Sequence, residues 1–185
     1  MANKISYGLQ NVYYAVAEDD GNGNLTYGTP QPWKGGVNLS LSAEGSSNTF
    51  YADNVAYFVT EANNGYSGDL EMAEIPDAFR VSCLGEVLDT KGFYVERADD
   101  TRAEFALLFQ FEGDESATRH CLYRCTASRP DVASATTEDT VEPQTKTVTI
   151  TAMPRISDGV IKSRCPASAT TPYAAWFTTV QEPTA

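Results

Sequence analysis

The side chains that could move a proton, hold a metal or attack a carbonyl are few here: His120, four cysteines and several pairs of acids. Nucleophilic catalysis needs a base beside the nucleophile. His120 sits inside an alternating run, Thr118 to Thr126, and no Gly-x-Ser-x-Gly elbow occurs, so a packed or half-exposed strand histidine is expected. Cys83, Cys121, Cys125 and Cys165 include no Cys-x-x-Cys pair, and one histidine cannot complete a tight zinc set. Cys121 and Cys125 fall on one face of a strand but too far apart along it to bond easily. Buried free thiols are predicted.

The acids read the same way. Asp99-Asp100 precedes Thr101-Arg102 in a turn-like stretch, and nothing places two carboxylates across a cleft as a glycosidase would require. Asp20-x-Asn22-x-Asn24 offers oxygens at alternate positions, but Leu25 stands where a calcium loop needs Gly and Gln31 where it needs Glu. A hairpin turn is the better reading. The glycines at 21, 23 and 28 lead into strands rather than a helix N-terminus, so no phosphate cradle forms. The expectation is a protein without catalytic residues, metal or cofactor.

Charge points away from nucleic-acid binding. The formal charge is -12, and residues 1 to 79 hold ten acids against two lysines. Such a surface repels phosphates. With 185 residues and 42% hydrophobic content, one core-bearing domain is expected. No run approaches the roughly 18 apolar residues of a membrane helix. The start, Met-Ala-Asn-Lys-Ile-Ser, lacks the apolar centre of a secretory signal, so an unexported protein with no membrane partner is expected.

The dominant hydrophobic period is two, which predicts a β-rich chain. Val12 to Ala17 and Leu25 to Tyr27 flank an Asn-Gly turn and read as a hairpin. Val37, Leu39 and Leu41 alternate with Asn38, Ser40 and Ser42, predicting one buried and one wet face. Between Ser47 and Thr60 two β-prone runs flank Asp53-Asn54, fitting a hairpin or a long projecting loop. Tyr66, Leu70 and Met72 then oppose Ser67, Asp69 and Glu71, which gives an acidic face. Pro76 and Gly85 bracket one short helix whose stripe is Ile75, Phe79, Cys83 and Leu84. Phe93 to Glu96 reads as a strand. Glu104 to Glu112, apolar on both faces for much of its length, pairs with Thr118 to Thr126. Ala127 to Thr145 is a polar surface loop, Thr145 to Ala152 a clean strand, and Val160-Ile161 with their neighbours add one more. Past Pro166, an Ala, Thr and Pro-rich stretch carries Tyr173, Trp176 and Phe177 and reads as an arm. The organisation expected is a β-domain over 1–165 with a projecting loop at 44–64, followed by an arm over 166–185.

Several segments, in this order, resemble the major tail protein family of siphophages, whose tails are long and non-contractile. They are Asn48-Thr49-Phe50-Tyr51-Ala52-Asp53-Asn54, then Gly68 through Phe79, then Leu84-Gly85, then Glu104-Phe105-Ala106-Leu107. Gln144 through Thr149, followed by Arg155 and Asp158-Gly159, is similar to that family's closing region. The resemblance covers most of residues 3 to 162 and stops before the arm. It implies an antiparallel β-sandwich or barrel with one short flanking α-helix, the tail-tube fold. It also implies six copies per ring and rings stacked into a tube that carries DNA to the host without binding it specifically. The implied partners are other copies of the chain and further tail proteins: tape measure, tail terminator and baseplate or tip. The implied place is the virion tail, assembled in the host cytoplasm.

Within that reading, Asn38, Ser40, Asp69, Glu71, Thr147 and Thr149 are expected to line the lumen, where acidity would keep DNA from adsorbing; a face turned to bulk solvent is the alternative. Phe50, Tyr51, Tyr57, Phe58, Tyr173, Trp176 and Phe177 are expected inter-subunit contacts, since buried aromatics dominate interface energies. Packing within their own domain is the alternative for each. At the level of function, the alternatives are a monomeric β-sandwich that binds carbohydrate or acts as an adhesin, and a hydrolase on a β-scaffold.

Overall fold

The computed structural model describes residues 7–134, 136 and 144–183. The first six residues and most of the central part of the 127–145 loop lie outside the described residues. The chain is mainly β and antiparallel, as its period-two patterning predicts. In order it forms β1 (Tyr7–Asp19), β2 (Leu25–Tyr27), β3 (Gln31–Pro32), β4 (Gly36–Ala52) and β5 (Val55–Met72). A short helix α1 (Asp77–Phe79) runs on as a π-helical turn, Arg80–Leu84. Then come β6 (Val87–Leu88), β7 (Tyr94–Val95), β8 (Phe105–Glu112), β9 (Arg119–Ala127), β10 (Lys146–Ala152), β11 (Lys162–Cys165) and a second helix, α2 (Thr170–Ala175).

Nine strands make one sheet in the order β2-β1-β8-β9-β10-β5-β4, with β3 on β1 and β11 on β9, while β6 and β7 form a separate hairpin. The sheet curls round its own apolar face. Its two ends approach at Gly36, where an added Cβ would lie 3.0 Å from Leu9 Cδ2. Inside the curl, Tyr14, Phe105 and Leu107 from one half face Leu70, Val148 and Ile150 from the other. The helical turn closes this core with Ile75, Phe79, Cys83 and Leu84, the four residues of the predicted stripe. Gly85 adopts the left-handed conformation at φ 90° and ends the turn.

The outer face of β1, β8 and β9 is also apolar, which explains why β8 reads as hydrophobic on both sides. A second core of Ala15, Ala106, Leu108, Cys121 and Tyr123 is covered there by Trp176 and Val180 of the C-terminal segment. The outer face of β10, β5 and β4 carries no such cover among the described residues.

Two local expectations change. Val37 is exposed, although Leu39 and Leu41 are half-buried against the core. The cause is a register shift between the pairs Gly36↔Met72 and Asn38↔Glu71, which leaves Val37 as the extra residue of a bulge. The arm contains a helix of its own, α2, which is too short to persist without tertiary packing.

Gly65 marks where β5 leaves the body of the sheet. It has φ +111°, and an added Cβ would lie 1.9 Å from the carbonyl oxygen of Ala152. Gly65→Ala is therefore expected to destabilise the fold by more than ~1 kcal/mol, seen as a lowered thermal midpoint. An unchanged midpoint would mean that β5 and β10 are not so closely paired at this row.

Candidate functional site

The face of β4, β5 and β10 that is uncovered among the described residues gathers all six predicted lining residues. Asn38, Glu71 and Thr147 are cross-strand partners in one row, and Ser40, Asp69 and Thr149 form the next. Neither row contains a basic residue. Thr149 Oγ1 donates to Asp69 Oδ1 at 2.9 Å, and Thr145 Oγ1 donates to Glu71 Oε1 at 2.5 Å. These hydroxyls hold the carboxylates flat along the sheet. On the reverse side Leu39, Leu70 and Val148 belong to the core, so a slip of one residue would bury the acids. The burial requirement of one face thus fixes the polar composition of the other.

The second feature is the β4–β5 ribbon. The pairing of β10 with β5 ends at Ala152↔Tyr66, while β4 and β5 stay paired out to Ala52↔Val55. Glu44 to Ala52 therefore extends as a two-stranded ribbon without a third strand among the described residues, a reach of about 30 Å at ~3.4 Å per residue. Asp53 and Asn54 turn the tip with φ 53° and 62°, the positive values a two-residue hairpin needs. Of the hairpin and loop alternatives, the hairpin forms.

Apolar side chains crowd the tip. Phe50 and Phe58 are direct cross-strand partners, 62% and 60% exposed, and Tyr51 and Tyr57 are 66% and 73% exposed. Val55 and Val59 are exposed beside them. A two-stranded ribbon is marginal in water, and exposed aromatics at its end are an association surface. None of the four predicted aromatic contacts in this segment is used in the chain's own core.

The arm behaves differently. Trp176 is 3% exposed within the second core, and its indole Nε1 donates to the His120 carbonyl. Phe177 stacks on Tyr13 at 4.7 Å, and the Arg119 guanidinium lies 3.7 Å from the Tyr173 ring centre while donating to the Tyr173 carbonyl. Of the two alternatives for Tyr173, Trp176 and Phe177, a neighbouring subunit or their own domain, the chain shows packing on their own domain: Trp176 is buried in the second core, and Tyr173 and Phe177 are half-buried against it. Tyr123 Oη donates to the Gln181 carbonyl at 2.6 Å, and the buried Arg155 joins Asp158 and Glu182. The Arg155 hydrogen bonds hold the Asp158 carboxyl below its ordinary range.

An apolar cleft of about 280 Å³ lies at the root of the ribbon. Leu39, Leu41 and Tyr66 form one wall and Phe109, Phe111 and His120 the other, with Lys162 at the rim. The His120 ring stacks on Phe109 at 5.2 Å, and burial lowers its pKa, so it is neutral near pH 7. Sequence patterning marks these residues only as strand faces, because the cleft joins two strand pairs distant in sequence.

Chemistry is sparse elsewhere. All four cysteines are free and buried; burial pushes the Cys83 thiol up to about 11 and raises Cys121 and Cys125. Such thiols stay protonated and poorly nucleophilic. Asp19 and Asp20 spend their side chains on turn amides, Asp19 on Gly21 and Gly23 and Asp20 on Asn22 and Asn24. No cluster of three His, Cys, Asp or Glu side chains suited to a metal occurs among the described residues. No helix among them is long and apolar enough to cross a membrane. No family model matches the chain, and no curated protein matches it.

Proposed function

We propose that this chain is a structural subunit of a phage tail tube. It self-assembles into rings, six copies to a ring, that stack around a lumen through which DNA passes. It performs no catalysis. The observation that carries the reading is the pairing of an uncovered acidic sheet face with a projecting, aromatic-tipped ribbon on one rigid core. The face supplies a lining that repels phosphate, and the ribbon supplies an adhesive arm that reaches beyond its own subunit. Asp69, Glu71, Asn38, Ser40, Thr147 and Thr149 face the lumen in this reading. Phe50, Tyr51, Tyr57 and Phe58 contact a neighbour. The further partners are the tape measure, terminator and tip proteins of the same virion.

Electron microscopy of the purified protein over a concentration series, with sedimentation in parallel, tests the reading. Rings or hollow tubes that grow with concentration are expected. Compact monomers that persist at high concentration, even with a preformed tail end supplied as seed, would instead favour a monomeric binding module.

A further inference from the structure

We infer that the cleft between Leu39, Leu41, Tyr66, Phe109, Phe111 and His120 is the socket for the ribbon tip of a second copy of this chain. The inference rests on the tube reading and adds the acceptor to it. Three observations converge on that occupant. The first is reach: Leu41 and Phe50 lie nine residues apart on one continuously paired strand. That is about 30 Å, so a subunit cannot fill its own cleft with its own tip. The second is shape and chemistry. The tip offers Phe and Tyr rings, and the cleft offers the rings of Tyr66, Phe111 and His120 against a leucine wall, a setting for offset and edge-to-face contacts.

The third is charge. Residues 44–61 of the ribbon contain three acids, Glu44, Asp53 and Glu61, and neither Lys nor Arg. The cleft is lined by no acid, and Lys162 stands at its rim with its ammonium 4.2 Å from the Tyr66 ring centre. Lys162 makes no ion pair among the described residues, and Arg164 lies two residues on along β11. Asp114 is the acid facing His120 from the β8–β9 turn, and its carboxylate accepts hydrogen bonds from the Ser116 and Thr118 amides. An acidic tip entering a basic rim is steered and held in register. Because tip and socket are different surfaces, each copy both gives and receives. In the tube reading the contact runs head to tail, propagating from copy to copy instead of closing as a reciprocal exchange between two copies.

The test places a photo-crosslinker at the tip, Phe58→p-benzoylphenylalanine, in the full chain. Equal amounts of ¹⁵N-labelled and unlabelled protein are mixed, irradiated and digested. Mixed-isotope peptides joining residue 58 to 39–41, 109–122 or 162 are expected. Lys162→Glu should abolish them, and adding Glu61→Lys on the ribbon should restore them. Tubes that form while residue 58 crosslinks elsewhere, only within its own copy or not at all overturn the socket and leave the tube reading standing. Protein that neither crosslinks between copies nor assembles overturns both.

Discussion

A chain in which residues 47–61 are replaced by Asn-Gly will fold as the full protein does and will form neither rings nor tubes. Ser46 and Ala62 are cross-strand partners, so a two-residue turn can join them without disturbing the pairing beneath. The removed segment contains Phe50, Tyr51, Tyr57 and Phe58, none of which belongs to either core. Loss of so little buried surface should change the monomer's unfolding free energy by less than ~1 kcal/mol. Loss of the aromatic tip should abolish association, because a few such anchors carry most of an interface's energy. Urea denaturation reads the first effect, and sedimentation at the highest attainable concentration reads the second. Tubes of normal appearance from the shortened chain would show that the ribbon is not an assembly element.

Trp176→Ala should have the opposite profile, a large loss of fold stability. The indole is 3% exposed and belongs to the second core together with Leu108, Cys121 and Tyr123. Truncating a buried aromatic of this size costs about 3–5 kcal/mol, a large share of the ~5–15 kcal/mol that holds a domain together. The denaturation midpoint should fall with the slope of the transition unchanged. Phe58→Ala is the control, expected to leave the midpoint where it was. A Trp176→Ala midpoint close to that of the unaltered chain would mean the C-terminal segment rides on the sheet without stabilising it.

These contrasting aromatics also mark where sequence reasoning reaches and where it stops. Leu70 and Met72 against Asp69 and Glu71 are legible because a strand has only two faces and burial claims one. Pro76 and Gly85 frame the helical turn through backbone preferences that any fold must respect. The six polar residues of β4, β5 and β10 come together because alternation in each strand is fixed by the same core. Tyr173, Trp176 and Phe177 resist such reading, since a sparse aromatic in an Ala and Thr-rich stretch has no periodicity to show what it covers. Their target, the outer side of β8 and β9, is written in the sequence only as an unusual doubly apolar strand. Val37 fails for a narrower reason: a bulge breaks the alternation by one residue without leaving a mark in composition. The cleft is invisible from local pattern because its walls come from residues 39–66 and 109–122, joined only by the curl of the sheet.

The one-sided charge of the ribbon bears on kinetics. With Glu44, Asp53 and Glu61 along its free length, two ribbons that meet in solution repel one another within about 8 Å at physiological salt. Unproductive encounters between free subunits are thereby suppressed, and the suppression weakens as ionic strength rises. In the tube reading an existing tube end is a different target, because it would present several basic-rimmed sockets already in place. Elongation would then outpace nucleation, and a pool of subunits would add to a few seeded ends rather than start many short polymers. The absence of a single lysine or arginine between residues 36 and 72 would govern how many tubes begin as much as how firmly each one holds.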